Sequence, residues 1–122
     1  LHVYCEAPMC STLKDAEALV AASAAGKGTF AVGLEARTNP IYNLARSFVR
    51  AGALRETIAL RGQWRKKTSW RFGTSEAHNW RLDPATSMGL PGEEGSHQFD
   101  VFAWYLKKKP LRRRLMEAVN PI

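Results

Sequence analysis

The most constraining feature of this 122-residue chain is a strand–helix–strand pattern in its opening stretch. His2 to Cys5 is a short run carrying Val3 and Tyr4, and Thr29-Phe30-Ala31-Val32-Gly33-Leu34 is a nearly unbroken apolar one. Between them Leu13, Ala16, Leu19, Val20 and Ala24 recur at helical spacing. Thr12 with Asp15 makes a capping-box-like start, and Gly26 supplies a stop. Two strands joined by a helix of this kind are expected to pair in parallel, with a right-handed crossover. The second strand is apolar at successive positions, so it reads as covered on both faces.

Asn39-Pro40 starts a second helix, a cap residue followed by a proline at the first helical position. Ile41, Leu44, Ala45, Phe48 and Val49 form one apolar stripe, Arg46 and Arg50 lie off it, and Gly52 ends the helix. Then the period changes. Ile58, Leu60, Gly62 and Trp64 alternate with Ala59, Arg61, Gln63 and Arg65, the mark of an antiparallel strand with one open face. A junction is therefore expected near residue 55, dividing the chain into 1–54, 55–106 and a divergent basic tail, 107–122. Residues 68–92 show no period, yet they hold Trp70, Arg71, His78, Trp80 and Arg81. Long irregular loops of this sort are usually functional or disordered, and the two tryptophans and two arginines argue against plain disorder. A third helix is expected from about Glu93, with Phe99, Phe102, Ala103 and Leu106 on one stripe and Pro110 closing the segment.

Charge narrows the partners. The net charge is +7, and Lys107, Lys108, Lys109, Arg112, Arg113 and Arg114 carry most of it. The basicity is a property of the tail, and no aromatic platform accompanies it. A solvated tail is expected rather than a nucleic-acid site. Cys5 and Cys10 make neither a disulfide framework nor, with the scattered histidines, a metal signature, so a reduced, cytoplasmic setting without metal is expected. No apolar run approaches the roughly 18–20 residues needed to cross a bilayer.

Two places carry chemistry. In Gly92-Glu93-Glu94-Gly95-Ser96-His97-Gln98-Phe99-Asp100, His97 and Asp100 are spaced i, i+3 and share one side of a helix. Histidine takes or gives a proton near neutral pH, and a carboxylate one turn away can orient it or bind a hydroxyl. The bland alternative is a surface or capping pair. Glu6 lies just after the first strand, where ligands of parallel sheets bind. Its alternative is a carboxylate favoured by the dipole of the next helix, while Pro8 simply ends the strand.

The stretches HVYCEAPMCSTLKDAEALVAASAAGKGTFAVGLEARTNPIYNLARSFVRAGAL, RGQWR, NWRLDP and EEGSHQFDVFAWYL, in this order, resemble the Gfo/Idh/MocA family of NAD(P)-dependent oxidoreductases over about residues 2–106. The resemblance implies an α/β to α+β architecture. Residues 1–54 would end a Rossmann-like NAD(P)-binding domain, and 55–106 would open a substrate and oligomerisation domain built on a mostly antiparallel sheet. The glycine-rich nucleotide fingerprint would lie upstream, and much of the second sheet downstream. It also implies hydride transfer between NAD or NADP and a carbon of a sugar, polyol or cyclitol. By the same resemblance His97 handles the hydroxyl proton and Asp100 helps hold substrate and histidine. Glu6 and Pro8 match the ends of a Glu-Lys-Pro motif beside the nicotinamide, Arg37 and Arg81 approach cofactor or substrate, and Trp80 walls the pocket. Ala7 stands where that motif has its lysine, which admits a non-catalytic member or a basic-tailed binding module as the alternative. Homo-oligomers through the open sheet face are expected, with Arg61, Gln63 and Arg65 contributing. The 122 residues alone are expected neither to bind NAD(H) tightly nor to turn over.

Overall fold

The computed structural model describes residues 1–65, 67 and 80–108. Trp70, Arg71, His78 and the basic run from Lys109 onward lie outside them, as do residues 68–79 of the irregular stretch 68–92. The described chain is α/β. A two-stranded parallel sheet pairs β1 (Val3–Glu6) with β2 (Phe30–Gly33), and α1 (Leu13–Ala25) makes the crossover. A 3₁₀ turn, Glu35–Arg37, leads into α2 (Pro40–Arg50). A second 3₁₀ turn, Trp80–Leu82, precedes α3 (Gly89–Glu93) and α4 (Gly95–Leu106).

Local chemistry accounts for these boundaries. The register runs Val3 opposite Phe30 to Glu6 opposite Gly33. It is pinned at its start by the Val3 N–H donating to the Thr29 carbonyl at 2.8 Å and by His2 Nδ1 accepting from the Thr29 N–H at 3.1 Å. Thr12 caps α1: its hydroxyl accepts from the Asp15 N–H at 3.1 Å and donates to the Asp15 carboxylate at 2.6 Å. Asn39 caps α2 through a 2.9 Å bond from the Ile41 N–H to its side-chain oxygen. Beyond α2 the backbone turns through positive φ at Gly52 (76°) and again at Arg55 (55°).

Three sequence expectations change. First, β2 is not covered on both faces. Phe30 and Val32 are half-buried and Gly33 is buried, but Ala31 is exposed, since one crossover helix covers only one face of a two-stranded sheet. Second, residues 56–65 form no strand. The segment runs without ladder partners, and with no neighbouring strand among the described residues nothing there enforces the two-residue period. The mostly antiparallel sheet expected to begin there is not present among the described residues. Third, the helix expected from about Glu93 is two helices broken at Glu94. Gly89 (φ 66°) and Pro91 begin a short first one, and Gly92 is buried with Met88 where its Cβ would be.

The packing centre lies between the 3₁₀ turn Glu35–Arg37, α2 and α4, which touch one another. Ala36 is the one buried hydrophobic residue among those described. The apolar stripe of α2 is open instead: Ile41, Leu44 and Phe48 are 75%, 61% and 55% exposed. No described helix is long and apolar enough to cross a membrane.

Candidate functional site

Helix α4 sets His97 against a cavity of about 740 Å³, within the usual range for small-molecule sites. One wall is α4, with His97, Gln98, Phe102 and Tyr105. The opposite wall is the extended segment Arg61–Arg65, and the floor comes from Ala36, Asn39 and Tyr42. Gly62 brings the two walls together, because a Cβ there would stand 3.2 Å from both Gln98 and Phe102. The Trp64 ring leans on His97, with centroids 5.8 Å apart and planes inclined at 55°. His97 Nδ1 is buried and has no hydrogen-bond partner. An unpaired buried nitrogen costs about 1–3 kcal/mol, so it calls for an explanation beyond packing.

Asp100 is placed one turn beyond His97, as its spacing requires, but its carboxylate is taken by Arg37. The guanidinium donates through Nε at 2.8 Å and through Nη2 at 2.5 Å, a bidentate fork. Asp100 is 12% exposed and Arg37 48%. The hydrogen bonds to Asp100, reinforced by its charge, raise the Arg37 pKa against the opposing effect of burial. Asp100 and Arg37 therefore join α4 to the 3₁₀ turn. Beside them the Trp104 ring lies 4.7 Å from the Arg46 guanidinium and 5.9 Å from that of Arg37, and its carbonyl accepts from Arg50 at 3.2 Å.

A second bond closes the same interface: the Tyr105 hydroxyl donates to the Tyr42 carbonyl at 2.6 Å. Burial raises the Tyr105 pKa, with Tyr42 adding to the effect and Arg46 opposing it. A phenol with a raised folded pKa contributes stability that is present below its unfolded value, about 10, and lost as pH rises through the folded one. Tyr105→Phe is expected to weaken the α2–α4 contact by about 1 kcal/mol at neutral pH. It should also remove the alkaline part of its loosening, read by hydrogen exchange of the α4 amides from neutral pH to above about pH 10.

The remaining expected site residues stand elsewhere. Glu6 ends β1, and its carboxylate folds over Gly33, where a Cβ would lie 2.5 Å from Oε2 and 2.8 Å from the Tyr4 hydroxyl. Pro8 follows in the β1–α1 connection, and neither it nor Glu6 lines the cavity. Arg81 lies over the Trp80 ring at 4.4 Å, in a 3₁₀ turn packed on α3, and these two do not line the cavity either. Those that do, and that the sequence did not point to as site residues, include Arg61, Trp64, Arg65, Gln98, Tyr42 and Tyr105. The first three belong to the alternating segment, whose composition gave the only signal. Among the described residues no group of three or more His, Cys, Asp or Glu could hold a metal ion.

The chain is similar to a Bacillus subtilis (strain 168) protein described as "Putative oxidoreductase YteT", with 26% identity over 108 residues. That match covers 88% of this chain and 25% of the other, so the chain spans about a quarter of that relative's length. No family model matches the chain, and no solved structure matches it.

Proposed function

We propose that the chain is part of an oxidoreductase that moves a hydride between a nicotinamide cofactor and the hydroxyl-bearing carbon of a sugar, polyol or cyclitol, with His97 handling the hydroxyl proton. The observation that carries this reading is the buried, unpartnered Nδ1 of a histidine lining a cavity of ligand size. The similarity to a protein described as an oxidoreductase supports it. In this reading a ligand hydroxyl meets the His97 imidazole from the cavity, and the Trp64 ring packs against it. The Arg37–Asp100 pair fixes the helix that carries it. Asp100, with its carboxylate held by the guanidinium, serves as a positioning residue.

NAD or NADP is the hydride-exchanging cofactor in this proposal, but the described residues do not form a cradle for its pyrophosphate. The β1–α1 connection reads Ala7-Pro8-Met9-Cys10-Ser11-Thr12, with no glycine. Side chains at every position deny the close backbone approach that a dinucleotide uses at such a turn. Glu6 and Pro8, at the carboxyl end of β1, are the proposed residues nearest the nicotinamide. Two experiments test the reading. The 122 residues alone should show no micromolar NADH site by isothermal titration. The product of the native gene should reduce NAD⁺ or NADP⁺ on a panel of sugars, polyols and cyclitols. No reduction across that panel would overturn the proposal.

A further inference from the structure

We infer that the His97 cavity takes an anionic polyhydroxy ligand, a sugar bearing a carboxylate or phosphate, with the anion held by Arg61 and Arg65. This rests on the proposed function for the hydroxyl at His97 but adds a recognition element that the histidine does not supply. The first support is charge. Arg61 and Arg65 both line the cavity, Glu35 is its one acidic wall residue, and neither arginine has an ion pair among the described residues. Arg61 is steadied by a neutral partner. With the Gln63 amide oxygen turned toward it, Nη2 and Nε donate at 2.9 and 3.1 Å, which holds the guanidinium without cancelling its charge. The planar fork of arginine suits the two oxygens of a carboxylate or phosphate.

The second support is the rest of the lining. Trp64 and Phe102 offer apolar ring surface, and Gln98 and Asn39 offer amides, the mixture that suits a ring carrying hydroxyls. The contrast with Arg37 sharpens the point. Arg37 is matched to Asp100, while Arg61 and Arg65 face the cavity without a carboxylate of their own. Trp64 from the apolar positions of the alternating segment and Arg61 and Arg65 from its polar positions all line the cavity, and both arginines remain exposed and open to a ligand.

The test is isothermal titration of the full chain with D-galacturonate, D-galactose 6-phosphate and D-galactose. At low salt the charged sugars should bind at least about tenfold more tightly than galactose, a difference of about 1.4 kcal/mol. Tighter binding of the phosphate than of the uronate supports the inference and assigns the anion as phosphate; the reverse order supports it and assigns a carboxylate. The preference should vanish in R61Q/R65Q and persist in R61K/R65K. Should the glutamine variant fail to fold, salt provides the second readout. Binding of the charged sugars should weaken as the Debye length shrinks from about 30 Å at 0.01 M to about 3 Å at 1 M, and that of galactose should not. Equal binding of charged and neutral sugars, no binding of either, or a preference that survives loss of both arginines overturns the inference. Arginine-dependent binding without NAD(P)⁺ reduction by the native gene product leaves it standing and removes the hydride-transfer reading. Reduction confined to neutral polyols does the opposite.

Discussion

Arg37→Ala is expected to speed hydrogen exchange of the α4 amides about a hundredfold, while Asp100→Ala speeds it only about tenfold, steps of about 2.8 and 1.4 kcal/mol. The asymmetry comes from burial. Removing Arg37 leaves a carboxylate that is 12% exposed without its bidentate partner, and an uncompensated buried charge is costly. Removing Asp100 leaves a guanidinium that is 48% exposed and can turn to water, so the loss is that of charge-assisted hydrogen bonds discounted for solvent. The double variant should behave like Asp100→Ala, because once the carboxylate is gone there is no charge left to strand. Equal effects of the two single changes, or additivity in the double, would show that the pair acts as a surface ion pair and does not fix α4.

Much of the opening unit was legible because it is written in local patterns. Thr12 with Asp15, and Asn39 with Pro40, announce helix starts through contacts within a few residues, and both caps form as expected. The parallel pairing of β1 with β2 follows from the helix between them. What local pattern could not show is which side of α2 meets the rest of the chain. Its apolar stripe predicted burial, yet Ile41, Leu44 and Phe48 are exposed, and α4 is met by Arg46, Arg50 and the Tyr42 carbonyl. A guanidinium over an indole counts as a polar residue in any periodicity, so a contact of that kind reads in advance as a solvent face. The same limit applied at the site. The i, i+3 spacing of His97 and Asp100 was visible, but the partner of Asp100 lies 63 residues away in sequence, and no period links them. The segment 56–65 failed for another reason: alternation specifies a strand only when a neighbouring strand is there to receive it.

Turnover by the native gene product is expected to fall about 10²–10⁴-fold in His97→Phe, the range for loss of a positioned acid–base group. Phenylalanine is the informative replacement because it keeps a ring against Trp64, at 5.8 Å in the parent, while deleting both nitrogens. It also deletes the unpaired Nδ1, whose burial costs about 1–3 kcal/mol. The variant should therefore be as stable as the parent or more so while losing activity, with the loss falling on kcat rather than on KM. A packing role predicts the opposite combination: activity kept with the ring, and both stability and activity lost in His97→Ala. Those opposed signs separate a histidine retained for chemistry from one retained for fit, and they do so without knowing which sugar the cavity takes.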